Sequence, residues 1–170
     1  MLLLFFFSIF SILITWVGYP FVLIFLDRIS SKMSKNKKSI FSTANSNSRK
    51  KVAIIVAAYN EERNIENRIN NLLDLDIPLK IDLEIHIGSD GSDDATEEIV
   101  KKYQQKKVNL HSFDRIGRAA MHNRILRKIC SDIVIFTDAE TEFEKKFLEE
   151  ILRPFEKSEV GVVVGNLNYK

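Results

Sequence analysis

The stretch Ile133–Glu140, which reads IVIFTDAE, indicates the class of fold. Its first five residues are all β-formers, and such a short, continuous apolar run is typical of a strand buried on both faces. Asp138 and Glu140 follow directly, at the place where open α/β sheets bind their ligands. Two carboxylates this close repel each other, and a hard divalent cation relieves the repulsion. The stretch therefore predicts a metal site at the end of a buried strand.

A second acid-rich strand end occurs earlier, in Ile85–Asp94, which reads IHIGSDGSDD. Together the two stretches suggest a site for a metal ion and a diphosphate. Around them, apolar runs alternate with segments of helical periodicity, which predicts a mostly parallel sheet flanked by helices, with right-handed crossovers. The predicted strands are 52–58, 83–87, 108–113, 133–136 and 160–165.

Several finer expectations concern helix ends and helix faces. Asn60 is predicted to cap the first helix of the domain, and Asp94 with Glu97 to form a capping box at the second. Pro154 is expected to kink or end the last helix, and Cys130 is interpreted as a small core residue. One face of the helix that begins near Arg118 is predicted to carry Ala119, His122, Leu126 and Ile129.

The N-terminal segment Leu2–Leu26 contains no charged residue and is long enough to cross a bilayer as a helix. A cleaved signal peptide is the competing interpretation, but the basic start, short apolar core and clear cleavage site are missing. We predict a transmembrane helix over 1–27, a basic polar linker over 28–50 and a folded domain over 51–170. Basic residues follow the helix directly, which predicts a single-pass protein of the cell membrane with its domain in the cytoplasm.

The net charge of +2 conceals an uneven distribution. Residues 1–51 contain eight Lys and Arg against Asp27 alone, whereas the remainder contains 17 basic and 22 acidic residues. A basic stalk on an acidic domain favours a membrane surface as partner and argues against nucleic acid. Cys130 is the only cysteine, so an intrachain disulfide is impossible and a reducing compartment is expected.

Polar loops follow four of the predicted strands. In a parallel sheet the carboxyl ends of the strands meet at one edge, so the four loops are expected to lie together. Arg118 is predicted to clamp phosphate oxygens, and the carboxylates to hold a cation that neutralises a diphosphate. Any one of these loops by itself is an ordinary turn, and only the ordered set predicts a site. The loops are Tyr59–Glu61, Ser89–Asp94, Arg115–Arg118 and Asp138–Glu140.

The ordered set resembles the nucleotide-binding half of the family 2 glycosyltransferases, which have a GT-A fold. The matching motifs are Ala58-Tyr59-Asn60-Glu61, Ser89–Ser92, Arg115–Asn123 and Asp138-Ala139-Glu140. The resemblance covers roughly residues 50–168. It implies an inverting transfer from a nucleotide-activated sugar, of UDP type, to a lipid or polysaccharide acceptor, with Mg²⁺ or Mn²⁺ as cofactor.

The same resemblance implies roles for individual residues. Ala58, Tyr59 and Glu61 would line the nucleoside pocket, with Asp90 facing the base. Asp138 would lie near the ribose or diphosphate and the metal, and Glu140 would be the carboxylate nearest the metal. Arg118 stands where the family usually has Lys; it keeps the charge on a bulkier, more rigid group.

The family's catalytic base lies beyond the fifth strand, and the sequence ends at Lys170, so no catalytic residue is assigned. The resemblance therefore implies a truncated unit that binds the donor and shows no transfer by itself. Two alternatives stay open: a non-catalytic donor-binding fragment, and another membrane-tethered nucleotide-binding domain. The Gly-x-Gly-x-x-Gly and Gly-x-x-x-x-Gly-Lys loops that would favour the latter are missing.

Overall fold

The computed structural model describes residues 2–34 and 49–166 and divides the chain into two units, Met1–Thr43 and Ala44–Lys170. In the first unit, helix α1 (Leu2–Leu13) continues through a π-helical turn (Ile14–Gly18) into α2 (Tyr19–Ser34). Over Leu2–Leu26 this helix is long and apolar enough to cross a membrane, and none of that stretch is buried. The helix extends into the predicted linker as far as Ser34, and linker residues 35–48 lie outside the described part of the chain.

The second unit is a parallel sheet with helices on both faces. Its elements are β1 (Lys50–Ala58), α3 (Ile65–Leu73), β2 (Ile81–Asp90), α4 (Thr96–Lys101), β3 (Val108–Phe113), α5 (Arg118–Leu126), β4 (Ile133–Asp138) and α6 (Phe147–Leu152). The strand order is β3-β2-β1-β4, and every pair is parallel. The predicted α/β class is confirmed. The prediction that the strand in Ile133–Glu140 is buried on both faces is wrong for the described residues, because β4 lies at the edge of the sheet and only Ile133 in it is buried.

Alternation along β1 sends its side chains to opposite faces of the sheet, because successive residues of a strand point in opposite directions. Val52, Ile54 and Val56 pack on the face that is covered by α3, α4 and α6, which we call the α3 face. Ile55 packs on the other face against Met121 and Ile125 of α5, which we call the α5 face. A strand buried on both sides explains why β1 is an almost unbroken apolar run.

The predicted fifth strand is wrong for the part of the chain described here. Residues 160–165 are irregular, and Val162 and Val164 are 82% and 87% exposed. Valine favours a pleated, half-buried environment, but a strand forms only where a neighbouring strand supplies hydrogen-bond partners. The run of valines predicts the propensity and says nothing about the partner.

Two predicted helix caps are also wrong. Asn60 has a left-handed backbone, with φ of 54°, and α3 begins only at Ile65. The Asp94 carboxylate accepts the N–H and hydroxyl of Thr96, whereas the Glu97 carboxylate accepts the hydroxyl of Ser112. The reciprocal bonds of a capping box are therefore not made. Pro154 behaves as predicted, since α6 ends at Leu152 and a short 3₁₀ turn follows.

The predicted face of α5 is partly wrong: Ile129, just past the end of the helix, packs on the α5 face as expected, but the fully buried positions each lie one residue before His122 and Leu126. Met121 and Ile125 are fully buried, whereas Leu126 and Cys130 are exposed, so Cys130 is not the core residue we expected. The buried residues of α5 pack closely against Gly88 on β2. A Cβ atom at that position would lie 2.5 Å from Met121 Sδ, so glycine is what allows α5 to pack this close.

Candidate functional site

A cavity of about 340 Å³ opens at the carboxyl edge of the sheet. It brings together all seven residues that were predicted to bind a nucleotide sugar or a metal: Ala58, Tyr59, Glu61, Asp90, Arg118, Asp138 and Glu140. Three further lining residues, Ala57, Arg115 and Met121, had no predicted role. The cavity thus draws on the ends of β1, β2 and β4 and on the beginning of α5.

The loops after β1 and β2 are fastened to each other by hydrogen bonds. The Asn60 N–H donates to Ser92 Oγ at 3.2 Å, and the Asp93 N–H donates to Asn60 Oδ1 at 3.0 Å. The Glu61 N–H donates to Thr96 Oγ1 at 2.8 Å. The left-handed turn at Asn60, for which asparagine is well suited, makes these bonds possible and leaves the neighbouring Tyr59 at the cavity wall.

Asp90 holds the loop between β3 and α5. Its carboxylate accepts the Ile116 N–H at 2.7 Å and the Gly117 N–H at 3.0 Å. Gly91, with φ of 77°, lets the two loops touch, because a Cβ there would lie 2.8 Å from the Arg115 nitrogen. Asp90 therefore lines the cavity and also orders its wall. Sequence reasoning missed this second role because the bonded groups are about 26 residues apart.

Arg115 is the clearest site residue without a predicted role. Its guanidinium carbon lies 3.5 Å from the centroid of the Tyr59 ring, in a cation–π contact at the cavity wall. The residue opens the Arg-x-Gly-Arg turn that the sequence singled out, which was an available signal. Its partner is on a different loop, so only the tertiary structure identifies the stack.

Arg118 and Asp138 both line the cavity and form an ion pair there, with Arg118 Nη1 3.0 Å from Asp138 Oδ1. Both side chains are more than half exposed, so water screens the attraction and the pair stabilises the fold by at most about 1 kcal/mol. A small energetic cost is therefore enough to separate them. The cavity consequently offers one group suited to an anion next to one suited to a cation.

Asp138 and Glu140 both line the cavity with carboxylate oxygens, the ligand type that hard cations prefer. Within residues 2–34 and 49–166 no three His, Cys, Asp or Glu side chains are grouped as a metal site would require. Mg²⁺ commonly takes one or two carboxylates from the protein and completes its shell with water and substrate phosphates. The carboxylate pair fits a cation that binds together with a diphosphate.

His122, whose role the sequence left unassigned, lies behind the cavity on α5. Its ring centroid is 4.8 Å from that of Phe136. Burial lowers the pKa of His122, the charge of Arg118 lowers it further, and Asp138 offsets part of the shift. The ring is therefore neutral at pH 7, and it packs against the aromatic ring of β4.

A four-stranded parallel sheet with acidic and basic loops at its carboxyl edge defines a Rossmann-like domain of the GT-A type. Residues 53–170 match glycosyl transferase family 2, and the chain belongs to that family. The resemblance stated from the sequence is confirmed.

Two characterised relatives illustrate the relationship. The chain is 28% identical over 120 residues to the glycosyltransferase AglD of Haloferax volcanii, covering 68% of this chain and 19% of that protein. It is 31% identical over 103 residues to the poly(ribitol-phosphate) β-N-acetylglucosaminyltransferase TarS of Staphylococcus aureus, covering 59% of this chain and 18% of that protein. The chain thus spans about a fifth of the length of these relatives.

Solved structures share the fold. Residues 1–349 of TarS in complex with UDP-GlcNAc superpose with a TM-score of 0.56 and 27% identity, over 62% of this chain and 31% of that one. The mannosyltransferase PcManGT of Pyrobaculum calidifontis, in complex with GDP-Man and Mn²⁺, gives a TM-score of 0.61 and 25% identity, over 89% and 44%.

Proposed function

We propose that the sheet domain is the donor-binding part of a glycosyltransferase that moves a sugar from a nucleotide-activated donor to a lipid or polysaccharide acceptor, with inversion. The observation that carries the proposal is the meeting of seven predicted residues, from loops far apart in sequence, around one cavity. The names of the relatives support it, since AglD and PcManGT are glycosyltransferases and TarS acts on a poly(ribitol-phosphate).

The charges of the cavity suit the two ends of such a donor. The Tyr59 ring and the Arg115 guanidinium offer flat surfaces for a nucleobase, and Asp90 an acceptor for its N–H groups. Arg118, the first residue of α5, would bind phosphate oxygens near the free N–H groups of that helix. Once a diphosphate binds together with a cation, Arg118 gains the diphosphate and Asp138 gains the cation as a further partner of opposite charge.

Asp138 and Glu140 would hold Mg²⁺ or Mn²⁺. Such an ion would neutralise the charge that develops on the diphosphate leaving group. The complex of PcManGT with Mn²⁺ supports the choice of metal. The neighbours carry a UDP-sugar in one case and a GDP-sugar in the other, so our choice of a UDP-sugar is part of the proposal.

The test uses the full chain in lipid nanodiscs and titrates UDP by calorimetry, with Mn²⁺ or with chelator. We expect tighter binding with Mn²⁺. Asp138→Asn and Glu140→Gln should each weaken the metal-dependent binding by about 1–3 kcal/mol, because a polar partner is lost. Glu149→Gln, which removes the same charge from the exposed side of α6, is the matched control.

Binding that is equal with Mn²⁺ and with chelator, and unchanged in both variants, would contradict the site. Replacing UDP by GDP in the same titration tests the base. If GDP binds more tightly than UDP, the assignment of a UDP-sugar is wrong while the site stands.

We further propose that Leu2–Leu26 crosses the cell membrane and that residues 27–170 are cytoplasmic. Its support is the apolar helix and the excess of Lys and Arg that follows it. Protease added to intact cells should leave the sheet domain uncut, whereas lysis should expose it. Digestion of the domain in intact cells would reverse the orientation.

A further inference from the structure

Helix α3 places two polar side chains beneath the loop that follows β4. Arg68, only 2% exposed, donates from Nη2 to Thr137 Oγ1 at 2.9 Å and from Nη1 to Asn71 Oδ1 at 2.8 Å. Thr137 is the residue just before Asp138. The first of these bonds therefore attaches α3 to the strand end that carries the predicted metal ligand.

Asn71 attaches the same helix to the far end of the loop. Its Nδ2 donates to the Phe143 carbonyl at 2.8 Å, and its Oδ1 accepts the Phe143 N–H at 2.9 Å. The Arg68 guanidinium lies 4.1 Å from the centroid of the Phe143 ring, which in turn stacks on Phe147 at 3.6 Å. Together the two side chains hold the loop 138–142 at both of its ends.

The charge on Arg68 requires an explanation, because burying a cation costs several kcal/mol that an apolar side chain would not cost. None of the ion pairs among the described residues includes Arg68. Burial lowers the pKa of Arg68 to about 10, and the charges of Asp138 and Glu142 offset part of the shift. The guanidinium stays protonated at neutral pH, and its charge acts on the acidic loop above it.

We propose that Arg68, together with Asn71, is a positioning residue that fixes the loop 138–142 so that Asp138 and Glu140 face the cavity. The guanidinium has the five donors and planar shape needed to bond Thr137, bond Asn71 and stack on Phe143 at once. The consequence for metal binding rests on the proposed function, but the ordering of the loop does not.

The experiment compares Arg68→Met, which keeps the volume, and Arg68→Lys with the wild-type full chain in nanodiscs. Hydrogen exchange of the amides 138–143 should be faster in Arg68→Met by about tenfold or more, as expected for loss of a bond to a charged donor, and unchanged across β1. Arg68→Lys should restore part of the protection, since an ammonium can replace one of the two hydrogen bonds. Arg63→Met, an exposed arginine just before α3, is the matched control.

Thr137→Val removes only the hydroxyl at nearly constant shape, so it tests the same contact even if Arg68→Met does not fold. In Arg68→Met and in Thr137→Val the Mn²⁺ concentration for half-maximal UDP binding should rise about fivefold or more, while UDP affinity in chelator stays constant. If the two residues had a purely structural role, UDP binding would weaken with Mn²⁺ and with chelator alike. If exchange of 138–143 is unchanged in Thr137→Val and in any Arg68 variant that folds, the inference is overturned.

Nucleotide binding by the wild-type chain distinguishes failure of the proposed function from failure of this inference. A wild-type chain that binds neither UDP nor GDP under any condition refutes the donor site, whereas the exchange of residues 138–143 still decides whether Arg68 positions the loop.

Discussion

The two faces of the sheet are built differently. Among the described residues, sixteen buried hydrophobic residues form the cluster on the α3 face, whereas the cluster on the α5 face has three, Ile55, Met121 and Ile125. The α5 face instead carries the histidine pair His86 and His111 and brings Arg118 to the cavity. Most of the apolar burial that stabilises the domain therefore lies on the α3 face, whereas the α5 face is covered by a single helix that positions charged residues.

Removal of packing from the α3 face should have the largest effect. Ile69→Ala should lower the free energy of unfolding by about 2–5 kcal/mol, because Ile69 is fully buried and its loss leaves a cavity. Leu126→Ala on α5, whose side chain is exposed, is the control and should cost less than about 1 kcal/mol. Urea unfolding followed by circular dichroism measures both. Equal losses would show that the buried Ile69 contributes no more to stability than an exposed leucine does.

The contact between β2 and α5 should be the next most sensitive. Gly88→Ala should destabilise the domain by about 1–3 kcal/mol, because the added Cβ would overlap the buried side-chain ends of Met121 and Ile125, which would have to move within the packed core. Gly161→Ala places its Cβ in open space and should change the free energy of unfolding little. If Gly88→Ala leaves the free energy of unfolding unchanged, then Met121 and Ile125 can move aside freely, contrary to the close packing described.

The histidine pair should make stability depend on pH through the α5 face. His86 Nδ1 and His111 Nε2 are 3.1 Å apart, and His86 Nε2 lies 3.3 Å from Glu84. Burial lowers the pKa of both rings, that of His111 to about 4, with the charges of His86 and Lys128 adding to the shift. Between the lowered pKa values of the two rings and the value of about 6.5 for histidine in the unfolded chain, the folded state therefore binds fewer protons than the unfolded state.

Stability should therefore be complete above pH 6.5 and fall as the pH drops toward 4. His111→Gln keeps a hydrogen-bonding side chain that does not titrate, so its melting temperature should depend less on pH across that range. His86 and His122, whose pKa values are also lowered, should leave a residual slope. An identical slope in the variant and the wild type would refute the assignment.

The smallest effect is expected for the exposed ion pair at the cavity. A double-mutant cycle with Arg118→Gln and Asp138→Asn should give a coupling energy below about 1 kcal/mol in unfolding experiments, since both side chains are solvated. The same substitutions should matter far more for UDP binding. A coupling energy of about 2 kcal/mol or more would show that the pair serves stability and is not free to meet a ligand.

The class of fold could be predicted from the amino-acid sequence alone, and so could the set of residues that meet at the carboxyl edge of the sheet. Periodicity is local, so the apolar runs at β1 and β4 identified strands before any partner was known, although only β1 is buried as predicted and β4 lies at the edge of the described sheet. In a parallel sheet the topology then places every strand end at one edge. Asp90 and Asp138 could therefore be assigned to one site although 48 residues separate them.

Contacts between elements that are distant in sequence could be identified only from the tertiary structure, because they depend on which surfaces of the helices and strands pack together. The valines of 160–165 have strand propensity but form no strand in the described part of the chain, and the close packing of α5 on β2 depends on the missing side chain of Gly88. In sequence, Arg68 looks like any arginine on an amphipathic helix, for which exposure is the usual state. Its burial under Thr137 depends on the packing of α3 against β4, because hydrogen bonds between distant residues form only where the folded backbone brings donor and acceptor together.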